Sequence, residues 1–383
     1  VKVLMLWHYY PEYLSYFYLR HPEVQGKSFQ EHLETLYDDH FGWPAGLCRY
    51  MRTQAIQALL LVGNDERLQR KWAQENGFRS FNSLNWQKAI TAEQIRRFRP
   101  DVLWISSAFQ YYGRFLQEVL PFVGRAICWI SCPIPPRLEL SGFYALVSSH
   151  PNIVKDIRHH FEKVVITKPG FDPSVLKALG PVQKRHGVSF LGSITPEHSR
   201  RAETLAYLLG KGVPLSLFGT LRGATFGEVL KEVAWQAVNQ RSLAAVLRSL
   251  RRRTSYRRDA GAISRVLRPS VFGTDMFREL AASQLTLNIH IDVAGGHAGN
   301  IRLFEATGVG TCLLTEHADN IGELFEPGKE LVTFRSREEL LERLQWLLQH
   351  PQEAERIGRA GQARTLSSYT VERMFQDIRG LLE

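Results

Sequence analysis

The chain has 383 residues, 44% of them hydrophobic and 22% charged, with a formal net charge of +10. That length exceeds what one typical core accommodates, so two domains are expected. The composition is that of a globular protein and excludes a bilayer-spanning chain, and the opening "VKVLMLWHYYPEY" is too polar after Trp7 for a signal peptide, so a cytoplasmic protein is expected.

Continuous apolar runs predict strands in two series. The first is Val1–Trp7, Leu59–Gly63, Val102–Ser106, Ala126–Ser131, Ala145–Ser149 and Val164–Thr167. The second is Val188–Gly192, Leu215–Gly219, Leu285–Ile291, Thr311–Thr315 and Leu331–Phe334. Such runs suit strands covered on both faces, and the amphipathic segments between them suit helices. The pattern predicts an α/β chain with two parallel sheets. Residues 1–176 are expected to form one Rossmann-like domain and 188–369 a second. The stretch "KALGPVQKRHG" (177–187) lacks an apolar period and reads as the linker. Helical pieces are expected from Arg337, Pro351 and Thr370, the last (370–383) returning to the first domain.

The four cysteines, Cys48, Cys128, Cys132 and Cys312, form no C-x-x-C pair, so a structural zinc site is not expected. The basicity is local. Residues 241–268 hold nine arginines and one acid, a net +8. Leu243, Val246, Leu247 and Leu250 fall at helical spacing within this insertion. It reads as a solvated helix packed by its leucines, or as a peripheral contact with an anionic membrane at its inner face. No aromatic platform accompanies it, and no nucleic-acid partner is expected.

The most informative stretch is "GGHAGNIRLFEATGVGTCLLTE", residues 295–316. Asn300 is a good N-cap residue, and the preceding glycines permit close approach of backbone to ligand. A helix starting there presents unpaired N–H groups and a positive dipole end, which suits a diphosphate. Arg302 in the first turn opposes that dipole unless an anion is present. Glu305, one turn on, offers a carboxylate able to accept from a vicinal diol such as a ribose. The alternative is an exposed i,i+3 ion pair with no role. There is no G-x-G-x-x-G after the first strand, so a nicotinamide or flavin cofactor is not expected.

With those residues in view, "FGTDMFRELAASQLTLNIHID", "GNIRLFEATGVGTCLLTE" and the segment from Asn320 to Thr370 resemble the C-terminal half of GT-B glycosyltransferases. The nearest group is the spore-maturation-protein-like (CgeB-like) glycosyltransferases, also described as glycosyl transferases of group 1. "VSFLGSITPEHSRRAETLAYL" is similar to the start of the same domain. The resemblance covers most of residues 145–383. It implies two Rossmann-like domains facing across a cleft, with a nucleotide-sugar donor on the second. Glu305 takes the place of the second glutamate of the E-x7-E signature, which binds the donor ribose. Arg302, Gly296, Gly299 and Asn300 would face the diphosphate. Gly192 would let the nucleotide pass, and Asp319 and Asn320 fall where the cleft loops lie. His297 stands where the signature has its first glutamate, which leaves retention or inversion open.

No D-x-D occurs in the chain, so no metal is expected, and leaving-group charge would fall to Arg302, helix N–H groups and His290. Candidates for the acceptor's general base are His8 after the first strand, Asp38 and Asp39 in "LYDDHFGW", and His150. The aromatic crowd from Trp7 to Tyr18 reads as core and rim, or as a platform for a sugar or lipid. The expected function is sugar transfer from a nucleotide sugar to a glycan, lipid-linked or other hydroxyl, in surface polysaccharide or glycoconjugate assembly. A 2-epimerase of the same fold and a non-catalytic anion-binding protein are the alternatives.

Overall fold

The computed structural model describes residues 1–106, 109–132, 134–135, 137–223, 255–290 and 296–383. Its first sheet contains β1 (Lys2–Trp7), β2 (Gln57–Val62), β3 (Val102–Ile105), β4 (Arg125–Trp129), β5 (Ala145–Ser148) and β6 (Lys163–Ile166). The second contains β7 (His186–Leu191), β8 (Leu215–Phe218), β9 (Leu267–Arg268), β10 (Ser283–Asn288), β11 (Cys312–Glu316) and β12 (Val332–Phe334). Every pairing is parallel, in the orders β2-β1-β3-β4-β5-β6 and β12-β11-β10-β7-β8-β9.

The apolar runs form strands because both of their faces are covered. Val188, Phe190, Cys312 and Leu314 join one core, while Leu191 and Leu313 point into another on the opposite face of the same sheet. The two-residue edge strand β9 is an addition to the expected set. It is too short to carry a sequence period and owes its place to pairing with β8.

The strand order reverses between β1 and β3 in the first sheet and between β7 and β10 in the second. At such a switch point the loops leave in opposite directions and open a crevice at the carboxyl ends of the strands, the usual ligand position in open α/β sheets.

The chain passes between the two halves twice, side by side. Phe171 N–H donates to Tyr369 O at 2.7 Å, and Val371 N–H donates to Phe171 O at 2.9 Å. Beyond the second passage the helix Val371–Leu382 buries Val371, Met374, Phe375, Ile378, Leu381 and Leu382 in the first core. Thr370 caps that helix by accepting from Arg373 N–H. Phe171 and Val175 already belong to the second core, together with Met276, Phe277 and Phe304. By packing, therefore, the chain joins the second half some residues before 177.

Residues 241–254 of the basic stretch lie outside the described residues. Residues 255–264 are helical and dock through Tyr256, Asp259 and Ile263, leaving Arg257 and Arg258 exposed. Among the described residues no helix is long and apolar enough to cross a membrane.

Gly308, the last residue of the helix Arg302–Gly308, lies flat against the Phe171 ring, where a Cβ would overlap ring atoms. Gly308→Ala should therefore lower the unfolding free energy by about 1–3 kcal/mol, the usual cost of overpacking. Urea denaturation reads this directly, and an unchanged midpoint would contradict this packing.

Candidate functional site

The carboxyl ends of the two sheets bring most of the sequence candidates to one cleft. On the first side, His8 follows β1, Gln110 follows β3, Ser131 and Cys132 follow β4, and Ser149 and His150 follow β5. On the second, Gly192 and Ser193 follow β7, His290 follows β10 and the 296–301 loop lies against them.

Arg302 and Glu305 form a buried pair, not an exposed one. Arg302 Nη1 lies 2.9 Å from Glu305 Oε2, with the side chains 18% and 7% exposed. The contact is one of charge, since that oxygen has no well-aligned hydrogen-bond donor. The same guanidinium nitrogen donates to Met276 Sδ at 3.0 Å. Burial raises the Glu305 pKa and the Arg302 charge pulls it back down. Tyr10, exposed at the end of β1, feels the charges of both residues, which places the pair at the boundary between the halves.

The helix begins later than expected. Its N-cap is Ile301, without a side-chain cap. Asn300 is not available for capping because its amide pairs with that of Asn288, with Asn300 Nδ2 donating to Asn288 Oδ1 at 2.8 Å. Asn288 in turn donates to Thr315 Oγ1 at 2.9 Å, so the loop is tied to the ends of β10 and β11.

Asn320 holds the same loop. It accepts from Ala298 N–H at 2.7 Å and donates to Ala298 O at 2.9 Å. Both of its polar atoms are thus used on backbone, which makes Asn320 a clamp for the loop. Gly296, at φ +82°, accepts at its carbonyl from Asp319 N–H at 2.9 Å. A Cβ at Gly299 would stand 2.9 Å from His150 Cε1 and 3.1 Å from Ser149 O. Gly299 is needed there because the first half presses against it.

Three histidines from the two halves lie within electrostatic reach of one another. His290 is half-buried, and its pKa is pushed down to about 4, chiefly by loss of solvent, with Arg201 and His150 adding to the effect. A neutral ring at His290 gives its one N–H to the Glu316 carbonyl, which lies 3.2 Å from Nε2. His150 is lowered by burial, then by Lys168 and His297. His297 Nδ1 lies 3.2 Å from Asn152 Nδ2 of the first half.

His8 is also lowered by burial. Gln110 Nε2 lies 2.6 Å from its Nδ1. With that amide donating, Nε2 carries the ring proton and His8 is a donor. A base at His8 requires the Gln110 amide turned over.

Asp39 is not at the strand ends. Its Oδ2 is enclosed beneath Gly273 of the second half, and its carbonyl accepts from Thr274 Oγ1 at 3.2 Å. Burial raises its pKa to about 6. It belongs to the seam, where Tyr16 donates to Asp275 at 2.6 Å, Arg20 pairs with Asp275 at 2.9 Å and Arg222 pairs with Glu12. Asp38 is exposed and pairs with Arg49 at 3.2 Å. Tyr13 stacks on Phe41 at 3.7 Å in the same seam, so most of the aromatic crowd is core.

Sequence reading missed Arg201. Its guanidinium donates to Ser193 O at 3.0 Å and to Ile289 O at 3.0 and 3.1 Å, spanning the crevice between β7 and β10. The signal was the Arg200–Arg201 pair opening the helix Ser199–Gly210, but the carbonyls that orient it lie in other segments.

His290 supplies a direct check. An imidazole held neutral by burial binds its proton later than in the unfolded chain. Between about pH 6.5 and 4 the unfolded state therefore binds more protons, and this group's contribution to stability falls as the pH falls through that window. An NMR titration should show His290 protonating near pH 4; a midpoint near 6.5 would contradict the burial.

Residues 214–380 match the family model described as glycosyl transferase-like. No curated protein matches the chain. Among solved structures, HepE of Anabaena in complex with UDP and glucose is similar with a TM-score of 0.57 at 13% identity, covering 100% of this chain and 99% of its own. AviGT4, a glycosyltransferase involved in avilamycin A biosynthesis, gives 0.56 at 15%, covering 100% and 98%. Sucrose-phosphate synthase from Thermosynechococcus elongatus gives 0.54 at 9%, covering 99% and 98%. The fold is that of the GT-B glycosyltransferases, two Rossmann-like halves with parallel sheets, and the second half carries the glycosyl transferase-like sequence pattern.

Proposed function

We propose that this protein is a glycosyltransferase that moves a sugar from a nucleoside diphosphate sugar to an acceptor hydroxyl. The observation that carries the reading is the Glu305 carboxylate, buried beside Arg302 on a helix at the cleft of a GT-B fold. Oε2 makes the charge contact with Arg302, and the other carboxylate oxygen is assigned to accept from a ribose hydroxyl. HepE was solved with UDP-glucose as well as with UDP, which makes UDP-glucose the first donor to try.

The diphosphate is assigned to the crevice between β7 and β10. Arg201 stands there as a fixed cation, and Gly192 presents no side chain. In the transfer, the bond from the sugar's anomeric carbon to the diphosphate breaks and a bond to the acceptor oxygen forms. The acceptor's proton leaves to a base or to the departing diphosphate. The first half supplies the acceptor side with His8, His150 and the linked hydroxyls of Ser131 and Ser149. Hydroxyl compounds of glycoconjugate assembly are the natural starting set of acceptors.

Glu305→Ala should weaken UDP binding by about 1.5–3 kcal/mol, the range for hydrogen bonds to a charged group. Calorimetry on a variant shown to be folded measures this, and unchanged affinity would remove Glu305 from the donor site. With Arg201 and N–H groups on the diphosphate, turnover should survive EDTA. Loss of turnover that magnesium or manganese restores would show that a metal takes part.

A further inference from the structure

One contact at the cleft joins the halves through a side chain that would act on the donor. His297 lies in the loop of the second half. The backbone on both sides of it is fixed by the following segment: Gly296 O accepts from Asp319 N–H, and Ala298 is held in both directions by Asn320. The ring itself is held from the other half, by Asn152 at 3.2 Å. Asn152 stands in the first turn of the helix Pro151–Ile157, directly after His150 and Pro151. Gly299 has no side chain, and this lets the 149–150 segment approach close enough for that contact to form.

We propose that Asn152 is a positioning residue: by donating to His297 Nδ1 it fixes the imidazole with its proton on Nε2, so that the donor loop gains an oriented N–H donor only when the two halves are closed. The inference rests on the transferase reading for its consequence, but not for its geometry. A neutral imidazole has one donor nitrogen and one acceptor nitrogen, and whichever hydrogen bond one nitrogen makes decides the other. An amide N–H on Nδ1 therefore leaves Nε2 as the donor. The atoms such a donor serves at this cleft are oxygens, those of the diphosphate or of the transferred sugar. An ordinary loop histidine needs neither a partner 145 residues away nor a backbone pinned on both sides.

The two halves of the chain thus share one functional group. Opening the cleft withdraws Asn152 from His297 and frees the ring to change tautomer. Transfer in the open state is disfavoured without any change in the nucleotide site at Glu305. The arrangement couples closure to transfer through a single hydrogen bond.

The test uses the full chain with UDP, and UDP-glucose with an accepting hydroxyl compound for turnover. Histidine-labelled protein reports the ring nitrogens of His297 by 15N NMR. The wild type should show protonated Nε2 and unprotonated Nδ1. Asn152→Asp reverses the polarity of the contact, because a carboxylate only accepts, and it should move the proton to Nδ1. Asn152→Ala should leave UDP affinity within about twofold while turnover drops roughly tenfold or more, the scale expected when a reacting group is misplaced. A wild-type ring protonated on Nδ1, a tautomer indifferent to Asn152→Asp, or equal losses of UDP affinity and turnover in Asn152→Ala would overturn the proposal. Failure of the transferase reading shows differently: the wild type then binds no nucleoside diphosphate, UDP, GDP or TDP, while the tautomer measurement still decides the role of Asn152.

Discussion

The two sheets meet as they do because the chain passes between them twice at one place. Phe171 and the Tyr369–Val371 segment exchange backbone hydrogen bonds, and Gly170 lies so close to Val371 that a side chain would collide with its backbone. Burying six side chains of the Val371–Leu382 helix in the first core makes the second passage costly to undo. Phe171 also packs on Gly308, the end of the helix that carries Arg302 and Glu305. The helix at the cleft is therefore anchored on the crossing itself.

Around this anchor the cleft loops are held by side-chain amides and a guanidinium. Loops buried at the ends of parallel strands carry backbone groups that need partners. Asn320 serves Ala298, the Asn300–Asn288 pair ties the loop to β10, and Arg201 satisfies carbonyls on both sides of the β7/β10 crevice. These partners fix positions before any ligand arrives, the condition under which N–H groups and a cation stabilise developing charge most effectively. The buried Arg302–Glu305 pair is different. Taking both charges from water costs more than their attraction readily returns, so stability does not explain it. Under the proposed function it is a carboxylate kept in place for the donor.

The strands were legible because burial on both faces writes itself as continuous apolar runs; β9 was not, because two residues carry no pattern. Glu305 and Arg302 were legible as a pair from their spacing, but spacing says nothing of depth. The pair proved enclosed where the sequence suggested an open helix mouth. Asn300 looked like a cap because Asn before an amphipathic run usually is one. Its amide goes instead to Asn288, a partner twelve residues back. Asp39 looked like a cleft residue from its neighbours Gly42, Trp43 and Pro44, yet the second half closes over it at Gly273. Arg201 and Asn152 were missed for one reason: the groups that give them meaning lie 88 and 145 residues away. The sequence named the helix and the glutamate through local pattern and resemblance, while the cross-chain contacts that assemble the cleft became visible only in three dimensions.

The central claim is that the crevice between β7 and β10, with Glu305 beside it, holds a nucleoside diphosphate sugar. A crystal structure of the protein grown with UDP-glucose tests this most directly. The account predicts density for the diphosphate against Gly192 and Arg201, with the ribose hydroxyls on Glu305. Nucleotide density elsewhere on the chain, or a ribose turned away from Glu305, would contradict it.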